Sequence, residues 1–546
     1  MTDVNIPDEV RMPTRMPNRA QRILGRLADM TIAPLLPPNT VRSLVYAIPS
    51  LIFLTVVAIP AQTWIKNLAT DDALYYPTIA KNIATGLGST YDGITQTNGY
   101  HPLWCWLQVP IAAIFGSLEP MNYLWFVKLF IALMVALALI VWEKLIRRVS
   151  GSTWMSATFV LLLGSYWWSV YTLYGGMETP LVVLLIGTCL LLAHSLSRSH
   201  STMTAIAFGI SMAATFLARL DSVFFLAVLG CVMLLTLGRN VRLSIAWMLP
   251  AVLLPLPYLW WNLTVFGNIV PVSGIRKSIS NLDLAAQADI LVKFASSKLA
   301  KLVGFLHPVG VVLVLAAVII GIWVIRRELR QQARRLQILW VLPVSAALHF
   351  FYVATFMVEA DVYWYQYCEY LMLFLLASLV VASVASWIPN HERRYNVQWT
   401  PFAVVCIGVL AFLVLYAPRK LPNQLNVHSY ETAVWAEGHL KPKSLRFGMD
   451  DPGVFRFVSG FNTIALNGLA GDREIETLVK QGNTVEILRR YNINYVVQFV
   501  AENDVAKISS QYIVFRSEPF TYEKLAGRFL IVDASRWIEC PTCWWP

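Results

Sequence analysis

The chain has 546 residues, 57% of them hydrophobic and 14% charged, with a mean hydropathy of +0.56. Soluble domains carry about 25% charged residues, so an ordinary soluble protein is excluded and a helical polytopic membrane protein is expected. The net charge of +11 does not point to nucleic acid, because the basic residues sit in short loops between apolar runs, where they report topology.

Residues 1–42 form a basic segment with Arg11, Arg15, Arg19, Arg22, Arg26 and Arg42 against four acids. Within it, Ile23, Leu24 and Leu27 recur at helical spacing. The stretch is either an amphipathic helix on an anionic membrane surface or a disordered basic tail. The first apolar run leads into Gln62, Thr63 and Trp64 rather than a small-residue cleavage site, so no cleavable signal peptide is expected.

Apolar runs of spanning length are read at 43–60, 122–142, 152–169, 179–196, 201–218, 222–237, 243–262, 304–325, 337–356, 367–388 and 399–417, about eleven helices in all. The run 102–115 is short and punctuated by proline, and is expected to be re-entrant or interfacial. With the N-terminus inside, the arginines and lysines of 143–150, 197–201, 238–242, 326–337 and 389–398 all fall on the inner face. Counting 102–115 as a span would invert everything after it. Loops 61–121 and 263–303 and the tail 418–546 are then extracytoplasmic. In that tail 444–449, 463–467 and 495–499 look like strands and 473–480 and 484–491 like helices, a small α/β domain. Cys540 and Cys543 form a C-P-T-C pair, read as a local disulfide or free thiols; Cys105, Cys189, Cys231, Cys368 and Cys406 lie in or beside apolar runs.

The outer face collects the polar residues that carry chemistry. Asp71 and Asp72 follow the first helix, then Tyr75 and Tyr76, and then Asn98-Gly99-Tyr100-His101-Pro102-Leu103-Trp104. Adjacent carboxylates repel, so one is either held as a proton acceptor or both complement a helix N-terminus. Glu178 in Tyr174-Gly-Gly-Met-Glu178-Thr-Pro180, Arg219 and Asp221 in Ala218-Arg-Leu-Asp-Ser222, and Lys277 at the end of Phe266–Lys277 occupy further outer turns. Carboxylates with cations at a membrane face suit a reaction that moves a phosphate-linked group: a base, and counter-charge for the leaving phosphate. Aromatic residues at 166–174, 260–261 and 363–367 serve either as an interfacial belt or as sugar-stacking surfaces.

In the order and common sidedness of these motifs, the chain resembles the integral-membrane GT-C glycosyltransferases, and among them the actinobacterial arabinofuranosyltransferases. The resemblance covers roughly 43–303. It implies an inverting transfer of a sugar, arabinofuranose in those enzymes, from a polyprenyl-phosphate donor to a glycan, lipid or protein acceptor. It also implies that Asp71 is the base, with Asp72 and Glu178 supporting it or binding a divalent cation, and that Arg219, Lys277 and His101 neutralise the donor phosphate. Tyr75, Tyr76, Asn98 and Asp221 are expected to contact substrate. No other cofactor is expected. The competing readings are a transporter or flippase of a polar lipid, with Lys128 and Glu369 as intramembrane charges, and a non-catalytic scaffold that binds a partner through its tail.

Overall fold

The computed structural model describes residues 38–238, 240–278, 337–357, 363–386, 422–522 and 525–534. The expected spans 304–325 and 399–417, the N-terminal basic segment and the Cys540–Cys543 pair lie outside the described residues.

Five helices among the described residues are long and apolar enough to cross a membrane: Pro120–Ser150, Thr179–Ser199, Leu220–Leu237, Val241–Phe266 and Ile338–Phe356. A sixth is formed if the first helix is joined to Ala61–Asn67 across a 115° bend. We label the helices α1 (Pro38–Ala58), α2 (Ala61–Asn67), α3 (Tyr75–Ala84), α4 (Pro102–Phe115), α5 (Pro120–Ser150), α6 (Thr153–Ser165), α7 (Trp167–Leu173), α8 (Thr179–Ser199), α9 (Thr202–Ala218), α10 (Val223–Leu237), α11 (Val241–Leu253), α12 (Leu256–Phe266), α13 (Val272–Lys277), α14 (Val341–Phe356) and α15 (Tyr367–Ser386).

Their ends follow from local chemistry. Helix α5 starts with Pro120 at its first position and stops at Gly151, whose φ of 68° only glycine adopts readily, with Arg147 and Arg148 in the last turn. Ser152 and Ser201 cap α6 and α9 by accepting from Met155 N and Thr204 N. The apolar run 152–169 is not one helix. Tyr166 adopts an extended conformation between α6 and α7, and the Ser169 hydroxyl donates to the Leu162 carbonyl across the break. Helix α4 lies against α3 and also touches α5 and α9.

The tail adds α16 (Gln424–His439), α17 (Gly453–Ser459), α18 (Arg473–Lys480) and α19 (Thr484–Arg490) around a sheet of β1 (Arg446–Met449), β2 (Asn462–Ala465), β3 (Tyr495–Ala501), β4 (Ile513–Arg516), β5 (Phe520–Tyr522) and β6 (Leu525–Asp533). The order is β2-β1-β3-β6-β4, with β5 on β6; β1 pairs parallel with β2 and β3, while β6 runs antiparallel to β3. This α/β part shares a continuous buried core with the helical part, in which Trp64, Tyr91, Ala433 and Phe455 all take part. The Asn426 amide donates to the carbonyls of Ile65 (2.9 Å) and Ala69 (2.8 Å), and Asn423 N to that of Lys66 (2.8 Å). These bonds occupy backbone acceptors freed where α2 ends, and they seat the tail over the loop that carries Asp71 and Asp72.

Candidate active site

Four turns bring the candidate residues together: the one after α2, and those at the start of α8, the end of α9 and the end of α12. They enclose a cavity of about 150 Å³ lined among others by Asp72, Tyr75, Tyr76, His101, Glu178, Arg219, Asp221, Lys277, Tyr352, Trp364 and Tyr365. Asp72 meets Lys277 there, with Lys277 Nζ 3.6 Å from Asp72 Oδ2.

Arg219 is the hub of the deep wall and is fully buried. It pairs through Nη1 with Glu178, and through Nε with both oxygens of Asp221, at 2.8 and 3.0 Å. Its ring neighbours are Tyr365 and Tyr367, with centroids at 4.7 and 5.2 Å. Asp221 also accepts from the Tyr367 hydroxyl at 3.1 Å and lies 3.4 Å from His349 Nε2, while His349 Nδ1 is 2.9 Å from Glu369. Two carboxylates thus offset the guanidinium, and Nη2 is its one nitrogen left without a hydrogen-bond partner among the described residues. A buried donor in that state is costly unless water or a ligand supplies a partner.

Glu178 is fully buried and accepts from the Tyr76 hydroxyl at 2.8 Å; His101 Nε2 stands 3.5 Å away. Burial works against its charge, yet His101 and Arg219 hold its carboxyl below the usual range. For His101 burial dominates and lowers its pKa despite Glu178. Burial thus works against its charge, while the carboxylate of Glu178 favours it. Its Nδ1 and the Tyr75 hydroxyl are buried without partners among the described residues.

Asp71 is turned differently from its neighbour. Its two oxygens accept from Gly453 N and Val454 N, both at 2.8 Å, at the first turn of α17, and it does not line the cavity that holds Asp72. Burial first, and then Asp451, raise its pKa well above the carboxylate range, against the pull of those amides. Asp451 is likewise pushed up to about 7, by burial and then by Asp72 and Asp450. One oxygen each of Asp71, Asp72 and Asp451 lie within 4.8 Å of one another. All-oxygen sets of this kind suit hard divalent cations, and each carboxylate oxygen has a second lone pair beyond the bonds described. The three residues fit such an ion.

Asn98 has a use other than contact with the cavity. Fully buried, it donates to Asn262 Oδ1 (3.1 Å) and accepts from Val272 N (3.0 Å), while Asn262 donates to Ile269 O (3.0 Å). This clasp fixes the turn that carries Lys277. His349 and Asp451 carry no mark as site residues in the sequence, and Trp364 and Tyr365 enter only through the aromatic run 363–367. Only the fold brings the aromatic run 363–367 and the Asp450-Asp451-Pro452-Gly453 turn to Asp72. Part of the aromatic stretch serves packing, as when Trp168 stacks on Tyr370 at 4.1 Å.

No protein-family model matches the sequence, and no curated protein matches it. Among solved structures, ArnT from Cupriavidus metallidurans bound to undecaprenyl phosphate matches with a TM-score of 0.54 at 13% identity, over 93% of this chain and 100% of that one. The apo state of the same protein gives 0.52 at 14% identity, covering 90% of this chain and 98% of that one. The Archaeoglobus fulgidus oligosaccharyltransferase in complex with Zn and sulfate gives 0.50 at 15%, covering 89% and 72%. At such identities the likeness is one of fold: the chain shares with these proteins a core of apolar helices and a C-terminal sheet region.

Proposed function

We propose that the chain is an inverting glycosyltransferase that takes a sugar from a polyprenyl-phosphate carrier and passes it to an acceptor hydroxyl. The observation that carries this reading is the meeting of Asp72 and Lys277 in one cavity at the helix ends. A carboxylate beside a cation answers both needs of attack at an anomeric carbon with loss of phosphate.

In this reading Asp72, rather than Asp71, is the base, because Asp72 lines the cavity while both Asp71 oxygens bind α17. Asp72 takes the acceptor proton as the acceptor oxygen bonds to the anomeric carbon. The bond from that carbon to the phosphate oxygen breaks on the opposite face, and its electron pair stays with the polyprenyl phosphate. Lys277 Nζ and Arg219 stabilise that charge, and His101 hydrogen-bonds to it. Glu178 and Asp221 hold Arg219 in place. One displacement inverts the anomeric centre. A divalent cation on Asp71, Asp72 and Asp451 would offset their mutual repulsion and fix the Asp72 carboxylate. Arabinofuranose enters this reading as the sugar implied by the motif resemblance.

The membrane sidedness belongs to the same proposal. Glu178 opens α8, Arg219 closes α9, Asp221 precedes α10 and Gly267 closes α12, so all four lie at one end of antiparallel helices. Arg147, Arg148, Arg198 and Arg242 lie at the other ends. By the positive-inside rule the site faces the extracytoplasmic side of the plasma membrane and the N-terminus the cytoplasm.

The test is transfer by the purified chain in lipid nanodiscs, given radiolabelled polyprenyl-phosphate sugars and membrane-extracted acceptors. Label should leave the lipid with inversion, and Lys277→Ala should lower the rate by about 10²-fold or more, as for loss of one charge-stabilising donor. No release from any polyprenyl-phosphate sugar, or full turnover in Lys277→Ala, overturns the reading.

A further inference from the structure

A second cavity, of about 220 Å³, lies on the other side of the acidic cluster, within the α/β part. A single buried water needs only about 10–15 Å³. Asp71 forms one wall. Asp450 and Asp451 follow the carboxyl end of β1, Gln498 comes from the adjacent parallel strand β3, Tyr522 and Ser429 add hydroxyls, and Leu425, Met449, Val497, Phe499 and Phe529 make up the apolar part. The cavity lies at the carboxyl end of β1 and against the middle of β3 and β6.

Two independent features mark it as a binding site. Ser429 is 2% exposed, and its hydroxyl has no hydrogen-bond partner among the described residues although the residue lines the cavity. A buried hydroxyl without a partner is costly unless a ligand or water supplies one. The second feature is charge. No Lys, Arg or His lines this cavity among the described residues, whereas Lys277, Arg219 and His101 line the first. Only the first space therefore offers cations, Lys277 and Arg219, to a phosphate.

We propose that the second cavity is the acceptor subsite and that it takes a neutral glycan, a proposal that rests on the transferase reading above. Carboxylates, an amide and a hydroxyl accept and donate to sugar hydroxyls, while the rings of Tyr522 and Phe499 cover the C–H faces. The path between the cavities is short. Asp71 lines one and Asp72 the other, and their carboxylates lie within 4.8 Å of each other and of Asp451. A glycan seated against Asp450, Gln498 and Tyr522 thus presents its next hydroxyl to Asp72 while the lipid phosphate stays with Lys277.

The experiment is saturation-transfer NMR on the full chain in nanodiscs. The probes are methyl α-D-mannopyranoside, methyl α-D-arabinofuranoside, mannose 6-phosphate and tetralysine. At least one neutral glycoside should receive saturation. The signal should fall tenfold or more in Gln498→Leu and Tyr522→Ala and persist in Lys277→Ala, with mannose 6-phosphate giving none that depends on Gln498. Silence from both neutral glycosides, signals untouched by both cavity variants, or tetralysine binding in their place overturns the proposal. Binding requires no turnover, so glycoside binding without transfer keeps the subsite and removes the transferase reading. Transfer with an unchanged acceptor KM in both cavity variants does the reverse.

Discussion

Lys277 and Asp72, far apart in sequence, face each other at 3.6 Å because the turn after α12 folds back over the loop that follows α2. That contact sets the charge of the cavity. Lys277→Met keeps the apolar stem and removes the cation, so affinity for polyprenyl phosphate should fall by about 1.5–3 kcal/mol, the worth of a charged hydrogen bond. Titration of the carrier lipid into nanodisc-held protein reads it; an unchanged affinity would place the phosphate elsewhere.

Arg219 couples α8, α9 and α10 through Glu178 and Asp221 in a fully buried setting. Removing one member of such a set strands the others, at a cost of about 3–5 kcal/mol. Arg219→Ala should therefore lower the melting temperature measured in detergent. The double variant Arg219→Met with Glu178→Gln should recover part of the loss, which would not occur if Arg219 acted only on ligand.

The Asn98–Asn262 clasp gives a variant that acts without touching the cavity. Asn98→Ala leaves the Val272 amide and the Asn262 side chain short of partners, a loss of about 1–3 kcal/mol. The turn bearing Lys277 should loosen. Proteolysis between α12 and α13 should speed up and donor KM should rise; a donor KM identical to wild type would separate the clasp from the site.

Much of this was legible in the sequence, for physical reasons. Glu178, Arg219, Asp221 and Lys277 stand at ends of apolar runs, where hydropathy fixes their depth and loop charge their common side, so their meeting in one cavity follows from helix packing. The roles within the Asp71–Asp72 pair were not legible, because which carboxylate turns to the cavity depends on α17, whose amides arrive from the distant tail. Asn98 looked like a substrate ligand because a polar residue beside His101 carries no mark of its burial. The break at Tyr166 was also invisible, since Ser165-Tyr166-Trp167 contains neither proline nor a charge to mark it.

Asp451, with its pKa raised to about 7, gives a pH signature. A carboxyl whose folded pKa exceeds its unfolded value of 3.8 binds more protons when folded. Its contribution is present below the unfolded pKa and is lost as pH rises toward about 7; Asp71, shifted the same way, adds to the slope. The melting temperature should decline from pH 4 to pH 8 and decline less in Asp451→Asn. Millimolar Mg²⁺ or Ca²⁺ should raise it at pH 8 in the wild type but not in Asp451→Asn. A flat wild-type profile with no response to either ion would remove the cation from this cluster.

The central claim is that the cavity-facing carboxylate takes the acceptor proton. Asp72→Asn and Asp71→Asn each keep size while removing a proton acceptor, and general-base help is worth about 10²–10⁴ in rate. The decisive measurement is single-turnover transfer from a purified polyprenyl-phosphate sugar, with donor binding measured alongside. Asp72→Asn should bind donor and lose transfer by that factor, whereas Asp71→Asn, whose amide oxygen still accepts one bond from α17, should lose less. A fully active Asp72→Asn beside an inactive but folded Asp71→Asn would contradict that claim.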